Sequence, residues 1–265
     1  MTGVSVITGA GGGMGAEVAR RFAGQGPLLL CDVSEGKVQA LLPTLEGQGH
    51  GIVAGDLADS AVIARIKHAV AAGGGLTRLV HTAGLSPTMA DPRRILDVNL
   101  NASVRLLDAI EADAGVDSAA VLIASIAGHN AAADRDADLD APLAAGALDR
   151  LADGVDSYGA YSYSKRGVMR LVEARAGAWG KRGARITSLS PGLIDTPMNA
   201  AEFDANPIIA RMLAATPVPR MGSVAEIADA IVYLCSPQAS FVTGTDLRVD
   251  GGIVAVMHTD PGFGR

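Results

Sequence analysis

Cysteine and aromatic residues are scarce in this sequence, and no apolar run is long. Of 265 residues only two are Cys, one is Trp, four are Tyr and four are Phe. Cys31 and Cys235 sit inside apolar stretches. They read as reduced core residues, not as a disulfide or a metal site, and no metal is expected. The longest apolar stretch, around residues 119–127, is far too short for a bilayer span. An apolar run that starts at Val4 and is already strand-like leaves no room for a signal peptide, so the protein is expected to be soluble and cytoplasmic, without a membrane partner. Positive charge is also short: 22 Lys and Arg stand against 28 Asp and Glu, a net charge of −6. That balance argues against general affinity for nucleic acid or anionic lipid. Charged residues make up 19% and hydrophobic residues 49%, and the mean hydropathy is +0.28. Such a composition excludes a disordered chain. At this size roughly 70% of the unfolded surface can be buried, so a core forms without crosslinks.

What is abundant is glycine, 33 residues, and a regular alternation of short β-rich runs with Ala-rich helical stretches. The runs at Val4–Thr8, Leu28–Val33, Gly51–Leu57, Leu79–Thr82, Ala119–Ser125, Ala184–Ser190 and Asp246–Val249 predict seven strands. Helices are predicted near Met14–Ala23, Ser60–Ala71, Arg93–Ala114, Ala160–Trp179 and Val224–Leu234. Strands with intervening helices imply an α/β fold, a doubly wound parallel sheet with helices on both faces. Near-continuous apolar strands such as Leu28-Leu29-Leu30 and Val121-Leu122-Ile123 agree, because parallel strands are buried on both sides. No linker or repeat divides residues 1–265, so a single domain is expected. One stretch breaks the rhythm: residues 129–157 hold seven Asp and two Arg. It reads as an inserted helical excursion, either a solvated flap or a lid or interface element.

The first strand runs into Thr8-Gly9-Ala10-Gly11-Gly12-Gly13-Met14-Gly15, and a helix follows. Backbone N–H groups at a helix start, with the helix dipole behind them, suit a pyrophosphate. Glycine is needed there because a Cβ would block close approach. The spacing is G-x-x-x-G-x-G over Gly9, Gly13 and Gly15; a second frame, Gly11, Gly13 and Ala16, fits the G-x-G-x-x-A pattern less well, since Gly9 directly follows the strand. Asp32, at the end of the second strand and 23 residues after Gly9, stands where an acid accepts both ribose hydroxyls of a dinucleotide. It would repel a 2′-phosphate, and neither Gly12 nor Val33 supplies a cation to bind one. The expected cofactor is therefore NAD.

Tyr161 and Lys165 are four residues apart at the start of a long helix, so their side chains share one face. An ammonium near a phenol favours phenolate. Such a tyrosine can exchange a proton with an alcohol oxygen while hydride moves to or from a nicotinamide. Tyr158 and Tyr163 lie close by, but neither has a lysine four residues later. Ser125 ends an apolar strand, at the edge where open parallel sheets bind ligands. Taken alone it is equally a turn serine. Asn99 lies inside a predicted helix, where asparagine is a poor former.

Together these signals resemble the short-chain dehydrogenase/reductase family, from about Val4 to Gly252. The family's loop T-G-x-x-x-G-x-G matches Thr8 to Gly15, its N-A-G turn matches Thr82-Ala83-Gly84, and its P-G segment matches Pro191 to Thr196. The resemblance implies a Rossmann fold and a catalytic tetrad of Asn99, Ser125, Tyr161 and Lys165. Tyr161 would be the acid/base and Ser125 would orient the carbonyl. Lys165 would hold the nicotinamide ribose and tune Tyr161, and Asn99 would position a water in a proton relay. Cofactor contacts would come from Gly9, Gly12, Gly13, Met14, Gly15, Asp32, Asp56, Leu57, Ala83, Gly84, Tyr161, Lys165, Pro191, Gly192, Ile194 and Thr196. Of these, Asp56 and Leu57 would meet the adenine, and Ile194 and Thr196 the carboxamide. His81-Thr82 replaces the usual Asn-Asn, which puts a supporting hydrogen bond in question. The short excursion between Gly84 and Asn99, the acidic insertion and the sequence after Val249 look most like the bacterial 3α-hydroxysteroid dehydrogenase/carbonyl reductase branch.

Residues 193–220 form a substrate-loop segment, and Met198, Phe203, Ile208, Ile209, Met212 and Leu213 within it are candidates for a pocket wall. They predict a hydrophobic alcohol or ketone: steroid-like, alicyclic or aromatic. Members of the family pair through the helices around Asn99 and Tyr161. The insertion enters that region, so a homodimer is expected, with a homotetramer as the alternative. A rival reading is a non-catalytic NAD-binding sensor, although such a protein can lose the tyrosine or lysine that this chain keeps.

Overall fold

The computed structural model describes residues 3–130, 139, 152–196 and 207–260. Seven strands, β1 Val4–Thr8, β2 Leu28–Asp32, β3 Gly51–Ala54, β4 Leu76–His81, β5 Ala114–Ile123, β6 Arg185–Pro191 and β7 Asp246–Val249, form one sheet. Their order is β3-β2-β1-β4-β5-β6-β7, and every pairing is parallel. The chain winds outward from β1 to β3, then crosses back to lay β4 against the other side of β1. A crevice opens where the direction reverses, at the carboxyl ends of β1 and β4. Thr8 and His81 are register partners at that point.

The helices are α1 Gly13–Phe22, α2 Glu35–Leu41, α3 Ser60–Ala72, α4 Pro92–Leu96, α5 Ala102–Ile110, α6 Ile126–Asn130, α7 Ser157–Gly180, α8 Pro207–Ala215, α9 Val224–Leu234 and α10 Ile253–Thr259. Side chains alternate along the strands, so each strand feeds two cores. Val4, Val6, Leu29 and Cys31 pack with Ile66 of α3, Leu106 of α5 and Val172 and Trp179 of α7. Ile7, Leu28 and Leu30 pack on the other face with Phe22 of α1 and Ile227 and Ile231 of α9. The two cysteines are free buried thiols on opposite faces. Burial raises both thiols, and Cys235 is pushed up to about 12. Both are thus inert core groups.

Two predicted elements are corrected. The helix expected over Arg93–Ala114 is broken: α4 ends at Leu96, Asp97–Asn101 is a π-helical turn, α5 runs to Ile110, and Ala114 already belongs to β5. The wide turn is closed by Ala102 N–H on the Asp97 carbonyl, five residues back. Ser125 does not close β5; the strand ends at Ile123 and Ser125 follows it. Four short described helices, α2, α6, α8 and α10, were not separately predicted. No described helix is long and apolar enough to cross a membrane. Residues 131–138 and 140–151, most of the acidic insertion, lie outside the described residues, as do Met198 and Phe203.

Candidate active site

The glycine loop is built by backbone proximity. A Cβ on Gly15 would stand 2.2 Å from the Gly9 carbonyl oxygen, and one on Gly9 would stand 2.8 Å from Ala83 N. Gly9 also has φ +67°, a left-handed conformation. At Gly13 the nearest atoms to such a Cβ are 3.8 and 3.9 Å away, on Val224 and Thr196. Space is therefore left above the first turn of α1. That helix has no side-chain cap and no acidic residue in its first turn. Its N–H groups and positive dipole end remain available to an anion, so the loop fits a pyrophosphate.

At the end of β2, Asp32 is held from two sides. Its Oδ2 accepts the Gly11 N–H at 2.9 Å and its Oδ1 accepts the Ser34 N–H at 2.8 Å. Each oxygen keeps a lone pair for a ribose hydroxyl. Asp56 accepts the Ala58 N–H and pairs with Arg94. Burial raises its carboxyl, but these partners outweigh it and hold the group below the usual carboxylate range. Leu57 is buried in the core beside Val53 and Val62.

A cleft of about 290 Å³ lies over the carboxyl ends of β1, β4, β5 and β6. Met14, Gly84, Ser125, Tyr161, Lys165, Pro191, Gly192, Ile194 and Thr196 all line it. Tyr161 and Lys165 lie one turn apart on α7, with the Lys165 Nζ 5.7 Å from the Tyr161 ring centre. Lys165 is buried and donates to the Ile123 carbonyl at 2.9 Å. Burial pushes its ammonium down from the ordinary 10.5 to about 8. The Ser125 Oγ accepts the Ala127 N–H at 3.2 Å, which leaves its proton for another acceptor.

Asn99 stands in the π-helical turn and is buried. Its Oδ1 accepts the Leu85 N–H at 2.7 Å, and its Nδ2 donates to the Leu85 carbonyl and to the Ser164 Oγ. The side chain is thus a brace between the turn after β4 and α7. A Cβ on Gly84 would lie 3.2 Å from the Asn99 Oδ1 and 3.4 Å from the Lys165 Nζ, so Gly84 leaves the lane between them open. Gly192 likewise meets the Asp250 backbone, 2.6 Å from where a Cβ would stand.

Sequence reasoning missed the glycines that set α7 in place. A Cβ on Gly128 would lie 2.8 Å from the Arg166 N, and one on Gly167 would lie 2.5 Å from a Leu100 methyl. Ser103 was missed too, although it lies four residues after Asn99 and so on the same helix face. Where His81-Thr82 departs from the usual Asn-Asn, the Thr82 Oγ1 donates to the Thr8 carbonyl at 2.8 Å. The mouth of the cleft is apolar. Leu85, Pro87, Ile126, Tyr158, Leu193, Ile209, Met212 and Met221 line it, and of the predicted wall residues Ile209 and Met212 are there, while Ile208 is exposed.

The fold and the cleft define an oxidoreductase of the dinucleotide-binding α/β class, with a tyrosine–lysine pair at the sheet's edge. Comparison with known proteins gives the family. The family model described as short chain dehydrogenase matches residues 3–136. The model described as enoyl-(acyl carrier protein) reductase matches residues 147–254. The chain is 34% identical over 235 residues to the 3-alpha-hydroxysteroid dehydrogenase/carbonyl reductase of Comamonas testosteroni, covering 81% of this chain and 91% of that one. It is 35% identical over 257 residues to the cis-4-hydroxycyclohexanecarboxylate dehydrogenase of Sinomonas cyclohexanicum, covering 96% and 97%. The crystal structure of the 3-alpha-hydroxysteroid dehydrogenase from Pseudomonas sp. B-0831, complexed with NADH, superposes with a TM-score of 0.80 at 30% identity, covering 97% of this chain and 99% of that one. The chain belongs to the short-chain dehydrogenase/reductase family, whose members use a nicotinamide coenzyme.

Proposed function

We propose that the protein is a single-domain, NAD(H)-dependent dehydrogenase that interconverts a hydrophobic secondary alcohol and its ketone, of steroid-like, alicyclic or aromatic type. The observation that carries this reading is the meeting of Tyr161, Lys165 and Ser125 in one cleft with an apolar mouth. In the proposed mechanism a bound nicotinamide supplies or accepts the hydride. Tyr161 gives a proton to the substrate oxygen during reduction, or takes it during oxidation, and the Ser125 hydroxyl orients that oxygen. The ammonium of Lys165 favours the phenolate by its charge, and Asn99 positions a water at the far end of the relay. Asp32 holds the adenosine ribose and sets the preference for NAD. Support for the substrate class comes from the apolar mouth and from relatives named for hydroxysteroid and hydroxycyclohexane substrates.

The intact tyrosine and lysine weigh against a non-catalytic sensor, and their four-residue offset against an enoyl reductase, for which a wider spacing is expected. The test is a screen of hydrophobic alcohols with NAD and with NADP, read by reduced-nicotinamide absorbance. Turnover of alicyclic or steroid alcohols with preference for NAD is expected. Turnover confined to small charged substrates would contradict the reading.

A further inference from the structure

Beneath the cleft runs a buried row of hydrogen bonds that crosses the switch point of the sheet. Thr8 Oγ1 lies 2.7 Å from His81 Nδ1, and His81 Nε2 lies 2.9 Å from Ser103 Oγ. Ser103 Oγ lies 2.8 Å from the main-chain oxygen of Asn99, and Ala83 N lies 3.3 Å from Thr8 Oγ1. Thr8, His81, Ser103 and Asn99 are all buried.

The two ends fix the direction of the row. An amide N–H only donates and a carbonyl only accepts. Ser103 has one hydroxyl proton and gives it to the Asn99 carbonyl, so it accepts from His81. His81 therefore carries its proton on Nε2. Thr8 accepts from Ala83 and gives its own proton to the bare Nδ1. Every hydroxyl donates once, and the imidazole is neutral in the Nε2–H tautomer. A cationic ring would place two donors, Ala83 N–H and Nδ1–H, on the Thr8 oxygen. Burial and the nearby charge of Lys165 also oppose the cation, pushing the imidazole down to about 3.

We propose that His81 is a positioning residue: as a neutral Nε2–H imidazole it ties the Ala83-Gly84 turn to the Asn99 carbonyl in the π-helical turn, and so fixes the two walls between which Lys165 works. The catalytic part of this inference rests on the function proposed above; the tautomer does not. The logic is geometric. The π-helical turn shifts the backbone hydrogen-bond register by one residue, and a side-chain hydroxyl, that of Ser103, reaches the Asn99 carbonyl. The Ser103 hydroxyl gives its proton to that carbonyl and accepts one from His81, so the imidazole is bonded to the same turn. Gly84, whose Cβ position would lie 3.4 Å from the Lys165 Nζ and 3.2 Å from the Asn99 Oδ1, and Asn99 itself are then held from behind by one row.

The experiment uses the full-length protein labelled with ¹⁵N at histidine. The His81 ring is assigned by its loss in His81→Phe, and kinetics are measured for Ser103→Ala and His81→Phe. The expected spectrum shows His81 protonated at Nε2 alone, with that resonance displaced in Ser103→Ala. The expected kinetics show kcat lower by about tenfold or more, since small misplacements of reacting groups carry losses of that order. A merely structural role would lower Tm and leave kcat in place. If His81→Phe fails to fold, Ser103→Ala, which deletes one oxygen, decides. A ring protonated at Nδ1, or at both nitrogens, overturns the proposal, and so does wild-type kcat in Ser103→Ala. Absence of turnover in the wild-type protein would overturn the functional reading instead, and the ring tautomer would then decide the proposal.

Discussion

Burying an ammonium costs free energy, and Lys165 is buried and donates to the Ile123 carbonyl. Depression from the ordinary 10.5 to about 8 corresponds to an order of ~3 kcal/mol. The sign follows from proton counting. Between about pH 8 and 10.5 the unfolded chain holds a proton that the folded protein has released, so this group's contribution to stability rises with pH across that window. Below about 8 both states are charged and the full penalty remains. Lys165→Met is therefore expected to unfold at higher temperature than wild type at neutral pH, to lose that pH-dependent gain, and to lose turnover, as thermal melts at several pH values and an activity assay would show. A melting temperature lower than wild type at pH 7 would contradict the burial argument. Asp32 carries a second residue-scale prediction. Removing its carboxylate in Asp32→Ala takes away the repulsion of a 2′-phosphate. The Lys37 stem lies beside the same loop, 2.9 Å from where a Gly11 Cβ would stand. Preference for NAD over NADP, measured as the ratio of kcat/KM values, is expected to fall; an unchanged ratio would sink the ribose argument. Tyr161, Lys165 and Asp32 were picked out in the sequence because their spacing, taken together with the glycine loop, suggests one chemistry, and Tyr161 and Lys165 do line one cleft. The role of His81 was not, because it depends on Ser103 and Asn99 lying opposite it across two elements.

At the scale of elements, α7 is placed by what its neighbours lack. Gly128 of α6 lies against its backbone at Lys165 and Arg166, and Gly167 of α7 admits Leu100 from the π-helical turn. Gly128→Ala would meet backbone atoms that cannot swing aside, so it is expected to destabilise by about 1–3 kcal/mol and to lower kcat by shifting α7. Gly177, exposed on the same helix with nothing within 4 Å of a built Cβ, gives the opposite forecast. Gly177→Ala is expected to stabilise by about 0.5–1 kcal/mol with activity unchanged. Denaturant melts of both variants, with kcat measured alongside, check the pair. The strands were legible because their apolar runs are short and bounded. The break in the helix around Asn99 was not, since periodicity records which face is buried and says nothing of a side chain that pairs with the Leu85 backbone. Helix propensity marked Asn99 as out of place, and that was the only trace of the π-helical turn.

For the molecule as a whole, the parallel sheet followed from the alternation of strands and helices, whereas the strand order, with β4 crossing back to lie beside β1, did not. The cleft follows from that order, because the crevice lies where the winding reverses. The assembly was read from the insertion, and we propose a homodimer. Light scattering is expected to give the mass of two chains, and a tetramer would contradict this. The account as a whole turns on one phenol. In Tyr161→Phe, binding of reduced coenzyme, followed by its fluorescence, is expected to match wild type, while turnover of a hydrophobic alcohol or ketone falls by roughly 10²–10⁴-fold. Turnover that survives the loss of that hydroxyl would contradict it.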